Sequence, residues 1–251
     1  MFRNYLKTAL RNLVKNRVHS FINIAGLSVG MAVAMLIGLW IWDELSFDKN
    51  FKHYDRIAAV MQHQTGNGEV SSQHAIPYVM GEELRKSYGS DFKYVSMASW
   101  TNNHILALGE NKITKSGNYF EPQVIDMLSL RMLKGASSAL QDKNSIILSA
   151  STAKALFGNA DPMNKPVKID SKFDVKVTGV YEDLPYNSSF HDMTFIAPWQ
   201  LYIDDNNWVE KATHPWRNNS FQAIVQIADN ADLDKVSEKI KDVKLNKVTG
   251  D

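Results

Sequence analysis

The run Phe21–Trp42, FINIAGLSVGMAVAMLIGLWIW, constrains this chain more than any other feature. It contains no charged residue, and its only clearly polar side chains are Asn23 and Ser28. As an α-helix it would be about 33 Å long at roughly 1.5 Å per residue, against a bilayer hydrocarbon core of about 30 Å. Ten of its residues are Leu, Ile, Val or Phe. At roughly −0.3 to −0.6 kcal/mol each, they favour insertion by about 3–6 kcal/mol, with no charge to oppose them. A secretory signal would carry a shorter apolar region ending in small residues. This run ends in Trp40-Ile41-Trp42-Asp43-Glu44, and two Trp suit an interfacial aromatic belt rather than a cleavage site. A core helix of a soluble domain seldom runs this far without a charge. The expectation is a transmembrane helix over residues 20–42.

The flanks set its direction. Residues 1–19 hold Arg3, Lys7, Arg11, Lys15 and Arg17 and no acid, which places that end in the cytoplasm by the positive-inside rule. The rest of the chain keeps 23 of the 28 basic residues against all 27 acidic ones, a net of −4. The overall +1 therefore conceals a basic foot and a mildly acidic exterior. That balance argues against nucleic-acid binding, which needs a basic patch on the folded domain.

Before the span, Phe2, Tyr5, Leu6, Ala9, Leu10, Leu13 and Val14 recur at helical spacing. Arg3, Lys7, Arg11 and Lys15 form the opposite face, so residues 1–19 read as a basic amphipathic helix on the cytoplasmic bilayer surface. Either it serves only to set topology, or it couples the span to a cytoplasmic partner. Within the span, Gly26, Gly30, Ala34 and Gly38 lie at four-residue intervals, a small-residue face suited to close packing against another membrane helix. No second long apolar run is present, so that helix would come from elsewhere.

About 209 residues follow Trp42, enough for one large domain or two small ones. Cysteine is absent, so disulfides contribute nothing. Arg56–Gln64 reads as a strand, Gly66-Asn67-Gly68 as a turn, and Pro77–Tyr88 as a helix ended by Gly89. Short β-like pieces follow around Tyr94–Trp100, Ile105–Leu108 and Lys112–Lys115, and Pro122–Leu133 is apolar without a clear period. Ser145–Leu148 reads as a strand; Ser149 or Ser151 can cap a helix that runs to Phe157 and ends at Gly158. Alternation across residues 166–181 predicts a hairpin turning at Asp170-Ser171-Lys172. Phe221–Ile227 is a further strand, followed by a helix over about Leu233–Val243. The order strand–helix, β-rich middle, strand–helix predicts an α+β domain with a β-rich insertion.

A search for chemistry returns little. There is no GxxxxGK[ST], HExxH, paired Cys, GxSxG or EF-hand loop. His63 and His74 could meet in space, but unpaired histidines are the commoner case. Asp204-Asp205 and Glu182-Asp183 read as solvated loop charges, Asp174 and Asp192 show no partner, and Asn187-Ser188-Ser189 would be a glycosylation acceptor only in a eukaryotic secretory setting. The expectation is a protein that is not an enzyme, with no cofactor and no metal.

Three stretches, residues 6–57 (opening LKTALRNL, through SFINIAGL to DELSFD), 118–140 (NYFEPQVIDMLSLRMLKGASSAL) and 145–185 (SIILSASTAKALFG onward), together resemble the MacB-like, FtsX-superfamily permeases of ABC transporters, in the version common in Bacteroidota. The resemblance implies a first transmembrane helix and a two-lobed periplasmic domain over 43–251, with a βαβ lobe (about 52–95 and 190–251) and a β-rich insertion (about 96–190). It implies three further spans, so this chain is expected to be the N-terminal part of a permease in the bacterial inner membrane. The implied partners are a cytoplasmic ABC ATPase, further permease helices or a second permease subunit, the lipid bilayer, and a periplasmic adaptor with an outer-membrane channel. The implied role is non-catalytic: passing motion from the ATPase to the periplasmic domain to export peptide, antibiotic or lipoprotein cargo. Pro162-Met163-Asn164-Lys165 departs from the family in lacking the usual Gly, which implies a slightly different turn. The competing reading is a membrane-anchored extracytoplasmic binding or sensor domain.

Overall fold

A computed structural model of the chain describes residues 2–248, with side chains from Asn4 onward. Contacts divide it into two compact units, residues 1–47 and 48–251. The first is helical: α1 (Phe2–Lys15), whose apolar residues fall on one face, and α2 (Arg17–Leu45). Asn16 separates them. Every large apolar side chain of α2 is exposed, the opposite of what a soluble core helix shows. The helix also takes in Arg17, Asp43 and Glu44, and at roughly 1.5 Å per residue its 29 residues reach about 43 Å.

The second unit opens with β1 (Ile57–Ala59), β2 (Gln62–Gly66), β3 (Glu69–Gln73), β4 (Ile76–Pro77) and α3 (Met80–Tyr88). Then follow β5 (Phe92–Ala98), β6 (Asn102–Leu108), β7 (Asn111–Phe120), α4 (Val124–Met127) and β8 (Met132–Lys134). Next come β9 (Ser145–Ser149), α5 (Ala150–Phe157), β10 (Pro166–Ile169), β11 (Phe173–Tyr181), β12 (Phe195–Pro198) and α6 (Trp199–Asp205). The last elements are β13 (Asn219–Ile227), α7 (Leu233–Ile240) and α8 (Val243–Val248).

One lobe is a split βαβ unit. β13 lies between β1 and β5, antiparallel to both, with Gln226 opposite Ile57 on one side and Tyr94 on the other. α3 crosses from β1 to β5 and buries Met80 and Leu84 against the sheet. The other lobe closes on itself in the order β6–β7–β12–β9–β11–β10 and back to β6. Two of these pairings, β7 with β12 and β9 with β11, are parallel. Closure leaves no free edge, the problem an open sheet of short strands would face. A single pairing, Ala98 with Phe120, joins the barrel to the split lobe.

Alternation then sorts the side chains. Leu106, Ile146, Val167, Val175, Val177 and Phe195 belong to the core that fills the barrel and continues under α3, whereas Ile147, Phe120, Ile196 and Tyr181 point into a second core beneath α4. The fully buried Tyr181 hydroxyl donates to the Met193 carbonyl at 2.6 Å, and burial pushes its pKa up.

Several expectations change. The strand expected over Arg56–Gln64 breaks after Ala59: β2 leaves the main sheet and pairs only with β3. The expected helix start at Pro77 moves to Met80, because Ile76 and Pro77 pair with β13. The helix over Leu233–Val243 is two helices, α7 and α8. Pro122–Leu133 resolves into α4 and the start of β8. Of the two candidate caps for α5, Ser149 accepts from the Thr152 N–H, while Ser151 donates to Asp183 through both its N–H and its hydroxyl. Burial pushes the Asp183 carboxyl up, but the bonds from Ser151 and Ser149 outweigh it and hold the group below its ordinary value. Asn164 takes the left-handed backbone with φ 62°, a conformation that asparagine tolerates better than most residues.

Candidate functional site: the segment that follows the span

Residues 48–56 form the first part of the second unit, and they tie its two lobes together. Asp48 sits at φ 58°, a left-handed position that Asp can adopt. Its backbone N–H donates to the Asn187 carbonyl at 2.9 Å. Its carboxylate accepts from the Ser188 hydroxyl (2.9 Å), the Ser189 N–H (2.8 Å) and the Ser189 hydroxyl (2.6 Å). Hydrogen bonds to a charged acceptor are worth roughly 1.5–3 kcal/mol net when they form in place of water contacts, so three on one carboxylate make a firm attachment. Residues 187–189 lie in the connection from β11 to β12, so this attachment is to the barrel lobe.

Phe51 continues it. Its side chain is buried at 3% exposure and meets the Phe190 ring edge-on at 5.7 Å between centroids. Phe190 in turn lies 6.4 Å from Phe120 of β7. The chain then turns, with Tyr54 N–H bonding to the Phe51 carbonyl and Arg56 N–H to that of His53. The Arg56 guanidinium donates to the carbonyls of Ala228 (2.9 Å) and Ala231 (3.4 Å), in the turn between β13 and α7 of the split lobe. Nine residues therefore grip the barrel at one end and the split lobe at the other.

Sequence reading did not single out Asp48, Phe51 or Arg56. The only available signal was the DELSFD run, in which Asp48 had no visible partner because its partners lie about 140 residues away. The small-face residues Gly26, Gly30, Ala34 and Gly38 are all exposed on α2, and a Cβ added at any of the three glycines would have nothing within 4 Å. Lys7, Arg11 and Lys15 are exposed on α1, and the Arg3 side chain lies outside the described residues.

Other candidates resolve into structural roles. Asp204 and Asp205 lie in the last turn of α6, not in a loop, and pair with Lys143 and Lys172. Asp174 pairs with Lys168 at 3.3 Å and Asp192 with His191 at 3.2 Å. Ser72, not His74, lies opposite His63 and bonds to it at 2.7 Å. His104 contacts Asp170 at 2.6 Å, its ring edge-on to Tyr119 and Phe195. No group of three or more His, Cys, Asp or Glu suited to a metal occurs among the described residues. A cleft of about 270 Å³ lined by Arg85, Lys93, Tyr94 and Gln123 falls below the roughly 300–1,000 Å³ usual for small-molecule sites. Its Arg85 is already bound to Glu121 at 2.8 Å.

Comparison with known proteins agrees with this architecture. Residues 20–243 match the model of the MacB-like periplasmic core domain, and the chain belongs to that family. It is therefore a component of a transporter of the ABC permease type, anchored by an N-terminal helix and carrying an extracytoplasmic domain. Among solved structures it is similar to a domain of a protein described as a permease in Porphyromonas gingivalis, with TM-score 0.60, 22% identity, and coverage of 78% of this chain and 83% of that one. It is also similar to the periplasmic region of MacB from Actinobacillus actinomycetemcomitans, with TM-score 0.55, 19% identity, and coverage of 80% and 87%. The extracellular domain of the noncanonic ABC-type transporter YknZ from Gram-positive bacteria gives TM-score 0.53 at 14% identity, with coverage of 76% and 95%. At these identities the likeness is one of fold. Among curated proteins, no relative matches the chain.

Proposed function

We propose that this chain is the part of an inner-membrane permease that passes motion from a cytoplasmic ABC ATPase to the periplasmic domain, in the export of peptide, antibiotic or lipoprotein cargo. The observation that supports this reading most is the grip of residues 48–56 on both lobes, because a displacement entering at Asp48 is shared between barrel and split lobe rather than dissipated in a loose linker. The role needs no bond-making group. An adaptor and an outer-membrane channel complete the pathway in this proposal, with the N-terminal residues on the cytoplasmic side and residues 43–251 outside.

The test uses the absence of cysteine from the chain. Spin labels at Lys112→Cys on the barrel and Lys235→Cys on α7 report the distance between lobes in the permease assembled with its ATPase in nanodiscs. A displacement of each domain against its neighbour is read from labels at Lys112→Cys in two copies. ATP is expected to shift at least one of these distance distributions. Identical distributions with and without ATP, under conditions where the ATPase turns over, overturn the reading.

The face Gly26–Gly30–Ala34–Gly38 is proposed as the contact with another permease helix. Gly30→Leu is expected to lower recovery of the assembled complex roughly tenfold, equivalent to about 1.4 kcal/mol of helix association, while membrane insertion stays intact because Leu favours the bilayer more than Gly does. Unchanged recovery would assign the contact to another face of α2.

A further inference from the structure

We propose that the β11–β12 connection around Tyr186, with Lys49, Lys52 and Tyr54, forms a footing in the phospholipid headgroup layer. This rests on α2 being the membrane span, and covalent geometry carries it from there. Trp40 and Trp42, in the last turns of α2, are exposed and suit the water–lipid boundary. Asp48 follows Leu45 by three residues, which cannot span more than about 11 Å even fully extended. They are not extended: the Ser46 N–H returns to the Trp42 carbonyl at 3.0 Å and the Phe47 N–H to that of Glu44 at 3.3 Å. Asp48 is bonded directly to residues 187–189, so chain connectivity alone limits how far that connection can lie from Leu45. The headgroup layer itself is about 5–8 Å deep on each side.

The side chains presented there suit such a layer. Tyr186 is next to Asn187 and 85% exposed, the highest value for a large apolar or aromatic side chain after residue 47 among those described. It would be a poor choice for open water. Its ring is held at 5.5 Å from that of His191, so it is displayed rather than collapsed. Tyr54, also exposed, carries the Lys49 ammonium 5.9 Å from its ring centre, and Lys52 is exposed between them. Tyr places an apolar ring and a polar tip across the boundary, and Lys reaches phosphate with its ammonium while its stem lies along lipid. Phospholipid satisfies both demands at once, which an aqueous surface does not.

The experiment places a single cysteine spin label at residue 186, 112 or 36 of the full chain, reconstituted into liposomes of phosphatidylethanolamine and phosphatidylglycerol. Power saturation with oxygen and with a water-soluble nickel chelate then reports depth. The label at 186 is expected to meet nickel at least about twofold less than the label at 112, as the interface excludes polar solutes. If 186 matches 112 while 36 is shielded, the footing is overturned and the span stands. If 36 is as open to nickel as 112, the span reading fails and takes the footing with it. Because a label replaces the tyrosine, Tyr186→Trp is tested separately: brominated lipid is expected to quench the added fluorescence, and absence of quenching also overturns the proposal.

Discussion

Replacing Phe195 by alanine is expected to cost about 3–5 kcal/mol, the range for emptying a buried aromatic site. For a domain of this size, at roughly 2–4 °C per kcal/mol, Tm should fall by roughly 6–20 °C. Phe195 of β12 is fully buried in the core that fills the barrel. Its strand pairs with β7 on one side and β9 on the other, and its ring meets His104 edge-on. Gly117 of β7 makes room for it: a Cβ there would lie 2.4 Å from the Phe195 ring. Gly117→Ala alone should cost about 1–3 kcal/mol through overpacking. Combining it with Phe195→Leu should recover part of the loss, with an interaction energy of at least about 0.5 kcal/mol. Thermal unfolding of the full chain in detergent measures Phe195→Ala and the four species of the cycle: wild type, Gly117→Ala, Phe195→Leu and the double variant. Strict additivity would mean that Gly117 is not there for the ring.

The second large effect is expected at Phe51. Phe51→Ala should cost about 3 kcal/mol, from lost burial and from the edge-on contact with Phe190. It should also act locally. With the aromatic plug gone, the amides of Asp48 and Ser189 are expected to exchange with solvent faster than those of β9 well below the unfolding temperature. Asp48→Ala should produce the same local pattern with a smaller global loss, about 2–3 kcal/mol, because it removes three accepted hydrogen bonds and places Ala at φ 58°. Asp48→Asn keeps one acceptor and the tolerance for that backbone, and should fall between the wild type and Asp48→Ala. Hydrogen exchange resolved to single peptides reads this directly. Unchanged exchange at residues 187–190 in Phe51→Ala would show that the segment is held by something other than this plug. Under the proposed transmission of motion, both alanine variants are expected to weaken any ATP-dependent shift between the labels while ATP hydrolysis continues.

The local elements were legible wherever a short stretch carries its own instructions. The apolar helix α2 is one, since charge-free apolar length needs no partner to be recognised. The β10–β11 hairpin is another: in the three-residue connection between the paired Ile169 and Phe173, Asp170 and Ser171 both take positive φ, 51° and 59°, and the Lys172 N–H closes the turn on the Ile169 carbonyl. α5 is a third, capped by Ser149 and stopped at Gly158 with φ 61°. β12 and α6 were not readable, because four residues of strand followed by seven of helix have too little periodicity to separate from a loop.

What the sequence determined by itself is therefore the long charge-free apolar helix, its basic flank and the α+β alternation, all properties of residues near one another in the chain. The tertiary structure alone decided that six strands close into a barrel, that β12 enters it parallel to β7, and that Asp48 and Phe51 grip a connection about 140 residues away. The physical reason is range. Helix periodicity, caps and turns are set by contacts within a few residues, whereas strand partnership and a carboxylate's donors are chosen by which surfaces the folded chain brings together.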